Sequence, residues 1–279
     1  MSFSRPWFVQ FLKKLIEINL PIRIDVSNFS VMHLDEELIS LMHNAGIKRV
    51  SMAVESGSQE IQMRINKIID FGKLKEIIRI IKSKDMCVHL CWMLGFPGET
   101  LGQIKSTISL ARELKAHSNQ FLTVLPYPGT RMFKEAKDDG LLVFQEDDLD
   151  KFDNRSCDYL KSDEWNYAQL QEMIYDSNIE INFLNNFYFE SPGGEERLLE
   201  LMEKLLMRLP EHIMAYIVAG YIYKRRNELD KYYKYYLKAA RLFERVDLAG
   251  TFSKYLLWEH CIINDFNQYL AENRQIIKY

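Results

Sequence analysis

Three times in the first half of the chain an apolar run breaks at a glycine turn and a helical pattern follows. The turns are Glu55-Ser56-Gly57-Ser58, Gly95-Phe96-Pro97-Gly98-Glu99-Thr100 and Pro126-Tyr127-Pro128-Gly129-Thr130. Glycine and proline make turns in which the backbone approaches a neighbour with no Cβ in the way. The helix that follows each turn aims unpaired N–H groups back at it. One such turn says little; three after successive strands constrain the fold strongly.

The segments between the turns fill out that pattern. Trp7, Phe8, Phe11, Leu12, Leu15 and Ile16 recur at helical spacing over residues 5–18. Residues 22–28 alternate, with Ile22, Ile24 and Val26 on one face and Arg23, Asp25 and Ser27 on the other, which predicts a strand with one polar face. Asp35 is placed to cap a helix, with Leu34 and Ile39 as its hydrophobic staple and Gly46 at its end. A strand over 49–54 follows, then helices after Ser58 and through Leu74, Ile77, Ile78 and Ile81. A third strand over 86–94, a helix over 100–114, a fourth strand over 117–125 and a helix to Gly140 complete the series. Strand and helix alternate four times at roughly thirty-residue spacing, the rhythm of parallel βα units. Ligands bind at the C-terminal ends of such strands, in barrels and open sheets alike, and all three turns fall there.

The acidic stretch from Glu146 to Asp153 marks a boundary, and beyond it the periodicity is helical throughout. Helices are expected over 166–187 and 195–208. The run from Ala215 to Tyr223, followed by Leu229, Tyr236 and Ala239, resembles a tetratricopeptide repeat with Gly220, Tyr223, Tyr236 and Ala239 at matching positions. Tyr232 stands where that pattern has a small residue, so looser packing is expected there. The tyrosines at 232, 233, 235 and 236 read as helix packing, with a peptide groove as the second reading. The expected divisions are a partial barrel over 1–145, a connecting segment and helix over 146–190, and a tetratricopeptide-like region over 191–279.

A formal net charge of −3 leaves no electrostatic footprint for nucleic acid. Apolar runs fall short of the ~20 residues of a membrane span. Four scattered cysteines, Cys87, Cys91, Cys157 and Cys261, read as reduced thiols, and with no signal-peptide layout at the N-terminus the expected location is cytoplasmic.

The segment from Asp35 to Lys67, then MLGFPGET, then LPYPGT, resembles in order and spacing the radical SAM superfamily, in the branch whose members often carry an N-terminal cobalamin-binding domain. The resemblance covers roughly residues 5–143 and implies the later strands of a partial (β/α)6 TIM-like barrel, an α/β fold, ahead of an all-α tail. It further implies S-adenosylmethionine bound across the strand ends, reduced to a 5′-deoxyadenosyl radical by a [4Fe–4S] cluster held in a CxxxCxxC loop. No CxxxCxxC occurs in this sequence. The resemblance places that loop, the first two strands and a cobalamin domain upstream of Met1, in a cluster-bearing half or subunit. This chain by itself is therefore expected not to cleave S-adenosylmethionine, since nothing in it supplies the thiolates.

Cofactor-facing residues expected from the resemblance are Glu55, Ser56, Gly57, Gly95, Gly98, Glu99 and Tyr127. Each has a second reading. Glu55 is either a ligand for hydroxyl or ammonium groups of the cofactor or an acid satisfying the next turn. Glu99 is either a cofactor contact or a carboxylate favoured at the start of a helix. Pro126 and Tyr127 either form a wall for an adenine ring or make an ordinary turn. Cys87, His89 and Cys91 share one strand face, but same-face neighbours stand about 7 Å apart and point in parallel, which argues against a common metal. No catalytic residue and no metal ligand is expected in this chain. Two functions compete: the C-terminal part of a radical SAM enzyme, and a non-catalytic scaffold with a remnant half-barrel acting on a protein partner through its tail. A half-barrel also predicts an unpaired edge at Ile22–Asn28, exposed or covered by a partner.

Overall fold

The computed structural model describes residues 4–144, 159–245 and 252–273. The expected boundary at Glu146–Asp153 and the thiol of Cys157 lie outside them. The chain packs as two units, residues 1–178 and 179–279.

The first unit alternates helix and strand: α1 (Arg5–Ile18), β1 (Ile24–Phe29), α2 (Glu36–Asn44), β2 (Ile47–Glu55), α3 (Gln59–Arg64), α4 (Phe71–Ser83), β3 (Cys87–Leu94), α5 (Leu101–Leu114), β4 (Ser118–Thr123), α6 (Arg131–Asp138) and α7 (Tyr167–Ile179). The four strands form one parallel sheet in the order β1-β2-β3-β4. The starts of the helices are set locally: Asp35, Ser58, Asp70 and Thr130 each accept a backbone N–H as N-cap, and Thr100 forms a capping box with Gln103.

One face of the sheet is the core. Val50, Met52, Val54, Val88, Leu90, Trp92, Leu94 and Phe121 are buried, as are the apolar stripes of α2, α4 and α5. The other face is polar. Register aligns Asp25 with Arg49 and Cys87, Ser51 with His89 and Ser118, and Ala53 with Cys91 and Gln120. This face is half-buried on β3 and exposed at Asp25 and Gln120. Parallel strands buried on both faces read as continuous apolar runs; these alternate, so this sheet has an apolar outside and a polar inside, as a section of barrel wall does.

The two edges of the sheet differ. At β4 the carboxamide of Asn178, on α7, donates to the Phe121 carbonyl at 3.3 Å and accepts its N–H at 3.4 Å. A side-chain amide thus takes the place of a fifth strand. At β1, among the described residues, no backbone bond reaches the outer edge from Ile24 to Asn28. The helix before β1 and the link that joins it to the strand leave the side chains of Trp7, Phe11, Ile18, Leu20 and Ile22 exposed.

The second unit is helical: α8 (Gly194–Arg208), α9 (Ile213–Arg225), α10 (Leu229–Phe243) and α11 (Cys261–Glu272) follow a wide π turn at Glu180–Leu184 and a short 3-10 turn at Phe187–Glu190. The helix expected over 166–187 therefore ends early. Its backbone widens at Glu180, and Asn186 turns its side chain to cap Tyr188. Gly220 lets α9 approach the ring of Tyr236. The looser packing expected at Tyr232 is not found: its buried ring lies 4.8 Å from that of Tyr236 and 5.9 Å from that of Tyr269 on α11. Tyr232 and Tyr236 serve helix packing, while Tyr233 is half exposed and Tyr235 lines a groove; none of the described helices is long and apolar enough to cross a membrane.

Candidate functional site

Because all four strands run parallel, the turns holding Gly57, Gly95 and Gly129 share one end of the sheet. Two arginines join them there. Arg64, at the end of α3, donates to the carbonyl of Pro97 and lies over Gly98, and Arg131 donates to the carbonyl of Arg64 at 2.6 Å. A cleft of about 310 Å³ opens between these loops, lined by Arg64, Phe96, Pro97, Thr130 and Arg131 among others.

Glu55 ends β2 with a backbone φ of 69°, the left-handed region that side chains other than asparagine and aspartate rarely enter. Its carboxylate is ion-paired with Lys67 at 2.8 Å and remains partly exposed. Such strain persists only where surrounding structure enforces it, and it gathers at functional sites.

Ser56 and Gly57 face inward. The Thr107 hydroxyl accepts the Gly57 N–H at 2.9 Å and lies 3.2 Å from the Ser56 hydroxyl, which itself accepts the N–H of Ser58 at 3.1 Å. A Cβ on Gly57 would stand 2.7 Å from the Cα of Thr107. The close approach that requires glycine here is to α5. Gln62, fully buried, completes the loop by donating to the carbonyl of Ser56 at 2.6 Å and accepting the N–H of Ile69 at 2.7 Å.

At the second turn, Gly95 and Gly98 have φ of +85° and +67°. The space a Cβ on Gly95 would take is filled by Leu170, with Trp165 beside it. Glu99 is fully buried, and its Oε2 accepts the N–H groups of Gly95 at 2.7 Å and Phe96 at 3.0 Å. It closes the turn, and Thr100 caps the helix. Its Oε1 has no hydrogen-bond partner among the described residues. Burial pushes the carboxyl up to about 7, against the two N–H bonds and the nearby Arg64, which pull it down. The Trp165 indole donates to the Glu99 carbonyl at 2.8 Å. Tyr127, in the third turn, is half exposed.

Cys87, His89 and Cys91 do share a face. His89 Nδ1 bonds the Ser118 hydroxyl at 2.8 Å, and burial beside Arg49 lowers its pKa to about 4. Among the described residues no group of three or more His, Cys, Asp or Glu is placed to hold a metal ion. Thr107, Gln62, Arg64 and Trp165 organise this end of the sheet and escaped the sequence analysis. Each acts across a distance in sequence that periodicity does not report; a threonine at a buried helix position facing a glycine turn is the faintest of signals.

Residues 3–111 match the model of the radical SAM superfamily. The first unit holds a radical SAM domain. The chain is 29% identical over 149 residues to an uncharacterized methyltransferase of Pyrococcus horikoshii, covering 51% of this chain and 32% of that protein. It is 27% identical over 113 residues to the cytidylyl-2-hydroxyethylphosphonate methyltransferase of Streptomyces wedmorensis, covering 38% of this chain and 21% of that protein. Among solved structures, the radical S-adenosylmethionine methyltransferase TsrM of Kitasatospora setae, with tryptophan and an analogue of S-adenosylmethionine bound, aligns with a TM-score of 0.43 at 18% identity, over 47% of this chain and 27% of that one. Coproporphyrinogen III oxidase of Escherichia coli aligns with a TM-score of 0.45 at 14% identity, over 63% of this chain and 36% of that one. The chain thus spans a third or less of the length of these curated relatives.

Proposed function

We propose that this chain forms the later wall of a radical SAM barrel in a cytoplasmic enzyme whose cluster-bearing strands belong to another segment or subunit. The observation that carries the proposal is the open edge of β1. The chain leading into that strand of a sheet with a polar inner face exposes Trp7, at 64%, and Phe11, Ile18, Leu20 and Ile22. Unpaired strand edges flanked by apolar surface are ordinarily covered. A further parallel strand and its helix would pair with one and bury the other.

The residues present do not fit an iron–sulfur cluster: among the described residues no cysteines converge. For S-adenosylmethionine the fit is selective. Glu55 is held in a strained backbone at a strand end with a partly exposed carboxylate, suited to accept hydroxyl or ammonium hydrogen bonds. Ser56, Gly57, Gly95 and Glu99 hold the loops themselves and shape the end of the sheet. In an assembled barrel the polar face of Asp25, Arg49, Ser51, His89 and Gln120 would line the lumen. S-Adenosylmethionine would supply the reactive group; this chain would bind and orient it and exclude water.

The second function, a scaffold without catalysis, is favoured by one observation: the approach to Gly95 is closed by Leu170 and Trp165. Co-expression with a CxxxCxxC-bearing radical SAM half supplied as a separate segment separates the two. After anaerobic reconstitution with iron and sulfide, the enzyme forms 5′-deoxyadenosine from S-adenosylmethionine and reductant only when both parts are present, and Glu55→Ala lowers that yield at least tenfold. Failure of the two parts to associate, or association with no 5′-deoxyadenosine, overturns the enzyme in favour of the scaffold.

A further inference from the structure

The helical unit carries a groove that the barrel chemistry leaves unused. It has a volume of about 740 Å³ and is lined by α8, α10 and Tyr216 of α9. Leu206, Leu237, Tyr216 and Tyr235 give it an apolar lining, and Met207 stands at its lip, 76% exposed. The acids of the α8 wall are occupied: Glu203 accepts the hydroxyls of Tyr223 and Tyr235, and Glu200 pairs with Lys204 at 3.4 Å. The α10 wall is different. Lys234, Lys238 and Arg241 follow one another at i, i+4 and i+7 on one face, a row roughly 10 Å long. Among the described residues none of the three is paired with a carboxylate, while Lys231, Lys224 and Arg245 nearby are paired with Glu228, Asp265 and Glu211.

We propose that this groove binds an acidic amphipathic segment of a partner protein. Its apolar side chains would lie among Tyr216, Tyr235, Leu237 and Met207, and carboxylates one helical turn apart would meet Lys234, Lys238 and Arg241. The length of the cationic row exceeds what a single phosphate or headgroup spans. The apolar floor of Leu206, Leu237, Tyr216 and Tyr235 favours a peptide over a polyphosphate.

The test is fluorescence anisotropy with the full chain and a labelled helical peptide bearing Glu at i, i+4 and i+7 and Leu and Phe on the adjoining face. Micromolar binding is expected, weakened about tenfold by Lys234→Glu with Lys238→Glu and by added salt, with the thermal midpoint of the variant unchanged because both lysines are exposed. Equal binding by the same peptide with Gln in place of Glu, equal binding by the charge-reversed variant, or no binding overturns the proposal. Competition by inorganic tripolyphosphate as strong as by unlabelled peptide overturns it too. No S-adenosylmethionine enters this experiment, so its outcome is independent of the barrel's function.

Discussion

Glu99 sits at the sharpest physical conflict in the first unit. Two backbone N–H groups ask for a carboxylate, and complete burial with an unpartnered Oε1 asks for a neutral acid. Burial wins, lifting the carboxyl from 4.5 to about 7. Between those values the folded chain keeps a proton that the unfolded chain has released, so stability falls as pH rises through this window, by at most about 1.4 kcal/mol per pH unit. Glu99→Gln keeps the acceptor for both N–H groups and removes the titration. Urea unfolding at pH 5 and pH 7.5 is expected to show wild type losing stability relative to the variant; parallel pH slopes would count against this account. That a carboxylate at position 99 serves the turn was legible from the acid beside two glycines at a helix start. Its burial was not, because Trp165 and Leu170, which roof the turn, follow it by more than sixty residues.

Among elements, strand and helix alternation was legible to within a few residues because the strands alternate between two faces and each helix from α2 to α6 carries a capping residue. The polar face of β1 could be read from Arg23, Asp25 and Ser27, but its alignment with Arg49 and Cys87 is a matter of register, which a single strand does not encode. The overrun of α7 has a similar source: Ile181, Phe183 and Leu184 prolong the apolar pattern while the backbone widens. In the tail, the resemblance to a repeat located Gly220 and Tyr236 without their partner on α11. The buried Tyr236 hydroxyl donates to Asp265 at 2.8 Å, and Asp265 also pairs with Lys224. Tyr236→Phe is expected to cost about 1 kcal/mol in chemical denaturation. Asp265→Ala should cost more, about 2–3 kcal/mol, because it strands the tyrosine hydroxyl in the core. Equal losses for the two would show that the acid has no such role.

At the level of the whole molecule, the asymmetry of the sheet governs how copies can meet. Asn178 plugs one rim and among the described residues the other is bare, so growth by adding strand to strand has a single point of attachment. Two copies meeting there would lie antiparallel about a twofold axis and leave no rim for a third, which stops fibre formation at its first step. Sedimentation at rising concentration should therefore reveal a monomer–dimer equilibrium and nothing larger, while Asp25→Pro, at a position whose N–H alternates away from β2, should return the chain to monomer; species beyond the dimer would mean that the Asn178 plug does not hold. A single carboxamide thus sets the upper limit of self-assembly and reserves the remaining rim for a heterologous strand.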